Sequence, residues 1–336
     1  MDQSFDIAVI GATGTVGETI VQILEERDFP VAQLHLLASI ESAGHSVPFR
    51  GKNVRVREVD DFDFSKAQVA FFAAGPAITR SYAARATAAG CSVVDLSGGL
   101  SSDQAPGVIP EVNAALLESF GKPFQVSSPS ASGAALALTL APLREVLEIL
   151  RVNVTACLAV SSQGREGVAE LARQTTELLN VRPLETRFFD RQMAFNLLAQ
   201  VGAPDADGHA PLEKRLVAEL RELLDLPLLK VAATCVQVPV FFGDSFTVSL
   251  QTAGPVDLAA VNKALEAASG IELVEAGDYP TAVGDAVGQD VVYVGRVRSG
   301  IDDPCELNLW VTADNVRKGA ALNAVQVAEL LIKDYV

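Results

Sequence analysis

A seven-residue run, Ser127-Ser128-Pro129-Ser130-Ala131-Ser132-Gly133, stands between a short strand and an apolar helix expected over residues 134–143. The first N–H groups of a helix have no partner within it, so its start can depress a thiol pKa or hold an oxyanion. A nucleophile belongs at the centre of such a turn, and the residue there is Ala131, with only a methyl group. Ser130 and Ser132 flank it; they serve as polar groups beside a reacting centre or as helix caps, since Ser and Gly are preferred at helix starts. A second run, Gly11-Ala12-Thr13-Gly14-Thr15-Val16-Gly17, follows an apolar strand over residues 5–10 and opens a helix reaching about residue 26. Glycines so placed permit a tight turn, let backbone approach a pyrophosphate, and let helix pack on strand, with the helix start facing the anion. Helix packing alone can also require small residues.

The elements around the glycine turn favour the phosphate-binding role. Strands are expected near residues 34–38, 69–73 and 92–96 in β-α-β order, the pattern of a dinucleotide fold rather than a plain α/β sheet. From residue 150 the pattern changes to longer alternating strands over 151–160, 230–240, 245–252 and 291–298, which suggest one mostly antiparallel sheet. Between them, residues 164–224 read as helical and charged, with a polar loop near 202–211. Residues 315–335 read as one long amphipathic helix, and no internal repeat is evident.

A chain of 336 residues exceeds the usual single-core size, so two domains are expected. Hydrophobic content of 49% with 20% charged residues is that of a globular α/β protein, and no apolar run reaches membrane-spanning length. The start, Met1-Asp2-Gln3-Ser4-Phe5-Asp6, is acidic and lacks the basic and apolar regions of a signal peptide, which predicts a cytoplasmic location. A formal charge of −16 would repel phosphate backbones and anionic lipid, which argues against nucleic acid and membrane partners. Cys91, Cys157, Cys235 and Cys305 have no metal-ligand spacing and read as small buried hydrophobes. His35, His45 and His209 have no such spacing either, so no metal is expected.

Further motifs carry a resemblance. Phe71-Phe72-Ala73-Ala74-Gly75, Val108-Ile109-Pro110-Glu111-Val112-Asn113 and Gln192-Met193-Ala194-Phe195-Asn196 lead to a long C-terminal match, Leu307-Asn308-Leu309-Trp310 continuing through residues 314–326. Together with the Pro129-Ser130-Ala131 turn they make the whole chain resemble the aspartate-semialdehyde dehydrogenases. The resemblance implies a Rossmann-type dinucleotide-binding domain over residues 1–130 plus 316–336. It also implies an α+β dimerisation and substrate domain over 131–315 with a mostly antiparallel sheet, an arrangement like that of glyceraldehyde-phosphate dehydrogenase. A homodimer is implied through the second domain. Cofactor contacts are implied at Gly11, Thr13, Gly14, Thr15, Val16, Ser39, Glu41, Ala74, Gly75 and Asn323. Glu41 stands where the family has an Arg for the 2′-phosphate of NADP. An acid there accepts the ribose 2′-OH of NAD and disfavours NADP, or it is a solvated surface residue.

The family carries out NADP-linked reductive dephosphorylation of aspartyl phosphate through a Cys thioester, a step of amino-acid biosynthesis. Matched by motif, the reactive Cys falls on Ala131, the general acid/base His on Asp244, and the thiol-orienting Gln on Leu158. The phosphate-binding Arg falls on Ser101 and the substrate-carboxylate Arg on Gln237, while Glu213 and Arg215 match a retained Glu-x-Lys pair. Losing an activated nucleophile costs on the order of 10⁴ to 10⁶ in rate. The chain thus resembles the bacterial Usg-type branch that lacks the Cys, with a binding role toward a partner that the sequence does not name. The alternative is an NAD-dependent oxidoreductase acting on a different aldehyde or oxo substrate, with Asp244 as base and Ser130 or Ser132 beside the substrate.

Overall fold

A computed structural model describes residues 3–335, and the chain forms two compact units, Met1–Ser130 with Ala320–Val336, and Ala131–Gly319. Residues 316–319 therefore pack with the second unit. The first unit begins with β1 (Phe5–Ile10), α1 (Thr15–Glu26), β2 (Val31–Ala38), β3 (Ser46–Phe49) and β4 (Lys52–Glu58). It continues through β5 (Val69–Phe72), α2 (Pro76–Ala88), β6 (Ser92–Asp95), the single turn α3 (Pro110–Asn113) and β7 (Gln125–Ser127). The sheet runs β3-β4-β2-β1-β5-β6-β7. Its pairs are parallel except the β3–β4 hairpin, an edge that the sequence pattern did not signal and where Pro48 needs no ladder donor. Alternate residues of β1 feed opposite faces. Ile7 and Val9 pack with Ile20, Leu24 and Phe71, whereas Ala8 and Ile10 pack with Phe64, Phe72 and Ala86. Burial on both faces makes the strands continuous apolar runs, the doubly wound pattern.

The second unit opens with α4 (Ala131–Leu143), followed by β8 (Ile149–Leu158), α5 (Gly164–Leu179), α6 (Pro211–Leu223), β9 (Lys230–Gln237) and β10 (Asp244–Thr252). Then come α7 (Leu258–Ala267), β11 (Ile271–Leu273), β12 (Val292–Ser299) and β13 (Glu306–Ala313). Its sheet runs β11-β12-β13-β10-β8-β9, antiparallel at its three central pairings and parallel at β11–β12 and β8–β9. Helix α4 is buried all round from Ser132 to Leu140, which its continuous apolar sequence demands. The strands alternate instead: Val152, Val154, Phe246, Val248, Leu307 and Leu309 are buried between more accessible neighbours.

Two expectations need correction. Residues 180–201, expected to be helical, form no helix, because buried side chains of α5 take up the segment's backbone groups. Glu170 Oε1 accepts the Arg187 N–H at 2.9 Å, and Gln174 Oε1 accepts those of Met193 and Ala194 at 2.8 and 3.1 Å. The expected long C-terminal helix is α8 (Asn323–Leu330), flanked by wider π-type turns at Arg317–Leu322 and Leu331–Tyr335. Asn323, Ala324, Val325, Val327 and Ala328 are all buried, so α8 is a core helix rather than an amphipathic one.

Candidate functional site

The strand order of the first unit reverses at β1 and β5, and the loops leaving those two strands hold the glycines. Gly11 adopts φ +84°, and a Cβ there would lie 2.8 Å from the backbone of Ala73 and Ala74. A Cβ on Gly17 would lie 2.1 Å from the Gly11 carbonyl oxygen, so α1 can reach its seat only without a side chain there. Gly14 and Gly75 are the N-caps of α1 and α2, and neither provides a side-chain cap. Two helix starts therefore present backbone N–H groups at the carboxyl end of the sheet, beside Thr13, Thr15, Val16 and Ala74, where an anionic pyrophosphate is stabilised. Ser39 and Glu41 lie in the exposed turn that follows β2, closed by N–H bonds from Ser42 and Ala43 to the Ser39 carbonyl. The Glu41 carboxylate has no hydrogen-bond or ion-pair partner among the described residues.

Asn323, at the start of α8, is 1% exposed and donates through Nδ2 to the Val108 carbonyl at 3.0 Å and to Ser128 Oγ at 2.9 Å. Its Oδ1 is buried with no partner. A buried acceptor of this kind costs about 1–3 kcal/mol until a donor reaches it. The orphan acceptor, the glycine seat that a Cβ would fill, and the two uncapped helix starts all fit a bound dinucleotide. Ser101 is exposed in a turn, donating to Gln104 Oε1 from its N–H at 3.1 Å and its Oγ at 3.2 Å, and it brings no charge. The turn before it hangs from buried Asp95, which accepts from the Ser97 N–H and Oγ and the Leu100 N–H.

In the second unit Ala131 occupies the first turn of α4, which starts three residues before the expected point. Its methyl group faces the backbone of Gly319, where an added Cβ would come within 2.7 Å. The turn holding Gly319 is pinned by Asp314, whose Oδ1 accepts the N–H groups of Val316 and Arg317 and whose Oδ2 accepts that of Gly288. Asn315 joins this frame: its Nδ2 donates to Ser161 Oγ at 3.0 Å, and its Oδ1 accepts the Gly243 N–H at 3.0 Å. Asp314, Asn315 and Ser161 were not singled out from the sequence. Asp314 and Asn315 lie within the long C-terminal match, which was their only signal.

Asp244 heads β10, is 2% exposed, and accepts the Ala159 N–H through Oδ1 at 2.9 Å. Burial pushes its carboxyl up to about 7, against the pull of that N–H and with a further push from the Asp314 carboxylate. A carboxyl at this position ordinarily titrates well below imidazole, but desolvation here brings it into the same range. Leu158 ends β8 and is 1% exposed. Its carbonyl accepts from Gln237 Nε2 at 2.7 Å and from the Val238 N–H at 2.9 Å. Glu213 accepts the Ala210 N–H at 2.9 Å with one oxygen and the Cys235 N–H at 3.0 Å with the other, tying α6 to β9. Arg215 pairs with Glu219 at 2.7 Å, one helical turn away.

Burial pushes the Cys91 thiol up to about 12. It does the same to Cys235, with Glu213 and Asp244 adding, and burial followed by Asp244 raises Cys157. None of these is poised as a thiolate near neutral pH. Among the described residues no three His, Cys, Asp or Glu side chains gather to hold a metal ion, and no helix is long and apolar enough to cross a membrane.

Residues 6–120 match the model described as semialdehyde dehydrogenase, NAD binding domain, and residues 140–318 that described as semialdehyde dehydrogenase, dimerisation domain. A USG-1 protein homolog of Azotobacter vinelandii is 62% identical over 333 residues, 99% of this chain and 99% of its own. A solved structure described as a probable aspartate-semialdehyde dehydrogenase from Pseudomonas aeruginosa has a TM-score of 0.98 at 60% identity, covering 99% of this chain and 100% of that one. The crystal structure of aspartate semialdehyde dehydrogenase II from Vibrio cholerae complexed with ASA has a TM-score of 0.95 at 42% identity, covering 100% of both chains. A glycine-cradled NAD-binding unit and a mostly antiparallel second unit, both matched over nearly their full length, make this chain a member of the aspartate-semialdehyde dehydrogenase family.

Proposed function

We propose that this protein keeps dinucleotide binding and homodimerisation, acts in the cytoplasm, and has left the thioester chemistry of its family. The observation that carries this reading is Ala131 in the first turn of α4, where a methyl group forms no covalent intermediate. The other matched positions support it. Leu158 offers an apolar side chain, Gln237 and Ser101 offer no positive charge, and both Glu213 oxygens are spent on backbone N–H groups. The N–H groups from Gly11 to Val16, with Gly75 and Asn323, would hold the dinucleotide, and Ser39 and Glu41 would receive its adenosine ribose in the NAD form. A nicotinamide dinucleotide bound there supplies hydride transfer.

A second reading, an NAD-dependent oxidoreductase acting on another aldehyde or oxo compound, is favoured by one observation. Asp244 titrates near neutrality, so it can give or take a proton at physiological pH without a histidine. One experiment separates the two. Purified protein is titrated calorimetrically with NAD and NADP, then assayed for dinucleotide reduction with aspartate semialdehyde and phosphate, and with uncharged aldehydes. The first reading expects NAD binding, no turnover with any of these, and no recovery from Ala131→Cys alone. Turnover of an uncharged aldehyde would favour the second reading. Turnover of aspartate semialdehyde at ordinary enzyme rates, or its recovery by that single substitution, would overturn the first.

A further inference from the structure

Alternate residues of β2 face opposite sides of the first unit's sheet, and His35 shares with Leu37 the side where Val59, Phe62, Phe64 and Phe72 are buried. Its imidazole lies 5.0 Å from the Phe62 ring, centroid to centroid. Phe62 meets Phe64 edge-on at 5.2 Å, and Phe64 stacks on Phe72 at 6.3 Å, so His35 heads a row of rings that runs into the core. Phe62 and Phe64 belong to the segment over residues 59–67 that joins β4 to β5. Val59 ties its start to the end of β2 by an N–H bond to the Ala38 carbonyl at 3.0 Å. From α2, Arg85 donates to the Asp60 carbonyl at 3.0 Å and to that of Phe62, and Tyr82 donates to the Asp60 carboxylate. On the β2 side the segment rests on the His35 ring.

Nε2 of His35 is buried and has no hydrogen-bond partner among the described residues. A neutral imidazole can leave one nitrogen as a bare acceptor, but an imidazolium must donate from both, and here the Nε2 donor would be buried without an acceptor. The charges around the ring do not offset that cost. Asp6 on β1 and the Lys66 backbone favour a proton on the ring, whereas Arg57 on β4 and the Lys66 side chain oppose it. Arg55 shares the Arg57 face of β4, and Arg85 of α2 stands 5.6 Å from the centroid of Phe64. Asp60 and Asp63 are taken by Tyr82 and Ser65, and Asp61 is exposed. Burial, the largest effect, holds the His35 pKa below the ordinary 6.5. Once the segment opens, water solvates the ring and that penalty is gone. Below pH 6.5 the open form therefore takes up a proton that the closed form refuses, and opening grows as pH falls toward the closed form's own pKa.

We propose that His35 is an acid-operated latch: a proton on its ring drives it and Phe62 apart and opens residues 59–67 from the sheet. The latch goes beyond the functional reading above and requires neither dinucleotide nor turnover. Its test follows amide hydrogen exchange in the full-length protein by mass spectrometry at pH 7.5 and 5.5, with rates corrected for the intrinsic effect of pH. Peptides covering residues 59–67 are expected to exchange at least threefold faster at pH 5.5, while those covering β1 keep their rate. His35→Phe, which keeps a ring against Phe62 but takes up no proton, should abolish the acceleration. A second measurement leaves His35 itself unchanged and decides the matter should that variant not fold. His45 and His209 are exposed, and replacing both with Gln leaves His35 as the one histidine of the chain. Its ring Cε1–H signal, read by NMR between pH 4.5 and 8, should titrate with a midpoint below 6.5, and the ring signals of Phe62 should move with the same midpoint. No acceleration at pH 5.5, equal acceleration in His35→Phe, or a His35 midpoint at or above 6.5 would overturn the proposal.

Discussion

Asp244 shows how a residue's neighbours change its chemistry. Its folded carboxyl is raised to about 7, from about 3.8, because burial penalises the charged form. The sign follows from proton uptake. Between these two values the folded state holds a proton that the unfolded chain has released, so stability falls as pH rises through that window and levels off above it. The loss amounts to on the order of 4 kcal/mol, at roughly 1.4 kcal/mol per unit. Asp244→Asn, which keeps an acceptor for the Ala159 N–H, should flatten the decline in denaturant-derived stability measured between pH 4.5 and 8. A decline unchanged in the variant would assign it to other groups. The substitution itself is plain in the sequence, but the raised pKa is not, because desolvation comes from β8 and β13, far away along the chain. Glu41 is the converse, an exposed side chain whose meaning is almost entirely local. If it receives the ribose 2′-OH, Glu41→Arg should shift preference toward NADP by at least tenfold in paired titrations; an unchanged ratio would leave it a surface residue.

At the scale of elements, α1 depends on the absence of a side chain. Gly17→Ala would place a Cβ 2.1 Å from the Gly11 carbonyl oxygen, and neither backbone can yield without moving α1 off the sheet. A loss of about 3 kcal/mol is expected, as for overpacked cores, together with weakened dinucleotide binding. Equilibrium denaturation and calorimetry check the two effects, and a variant as stable as the parent would mean that the helix shifts freely. The glycine spacing, the first strands and the apolar run of α4 were readable because each is written in neighbouring residues. The segment over 180–201 was not. Its charged composition suits a helix, yet its hydrogen bonds go to Glu170 and Gln174 on α5, which no local pattern announces. The C-terminal stretch misled in a similar way: its spacing fits an amphipathic helix, but α8 is buried against the sheet of the first unit.

For the molecule as a whole, the proposals predict a homodimer by light scattering and a stability that responds to cofactor. A ligand bound only by the folded state at ten times its dissociation constant adds roughly 1.4 kcal/mol. NAD at that excess should raise the unfolding midpoint, and NADP at the same concentration should raise it less; no shift with either would argue against a working cradle. The sequence alone determined the family, the two-unit α/β architecture, the glycine turn that opens α1 and the methyl group at Ala131, because motifs and side-chain identities are local properties. Tertiary structure alone decided that Asp244 is a near-neutral acid, that both oxygens of Glu213 are occupied, and that Asn323 keeps a buried acceptor open. Protonation and hydrogen-bond satisfaction depend on which distant residues exclude water from a group and which reach it, and folding sets both.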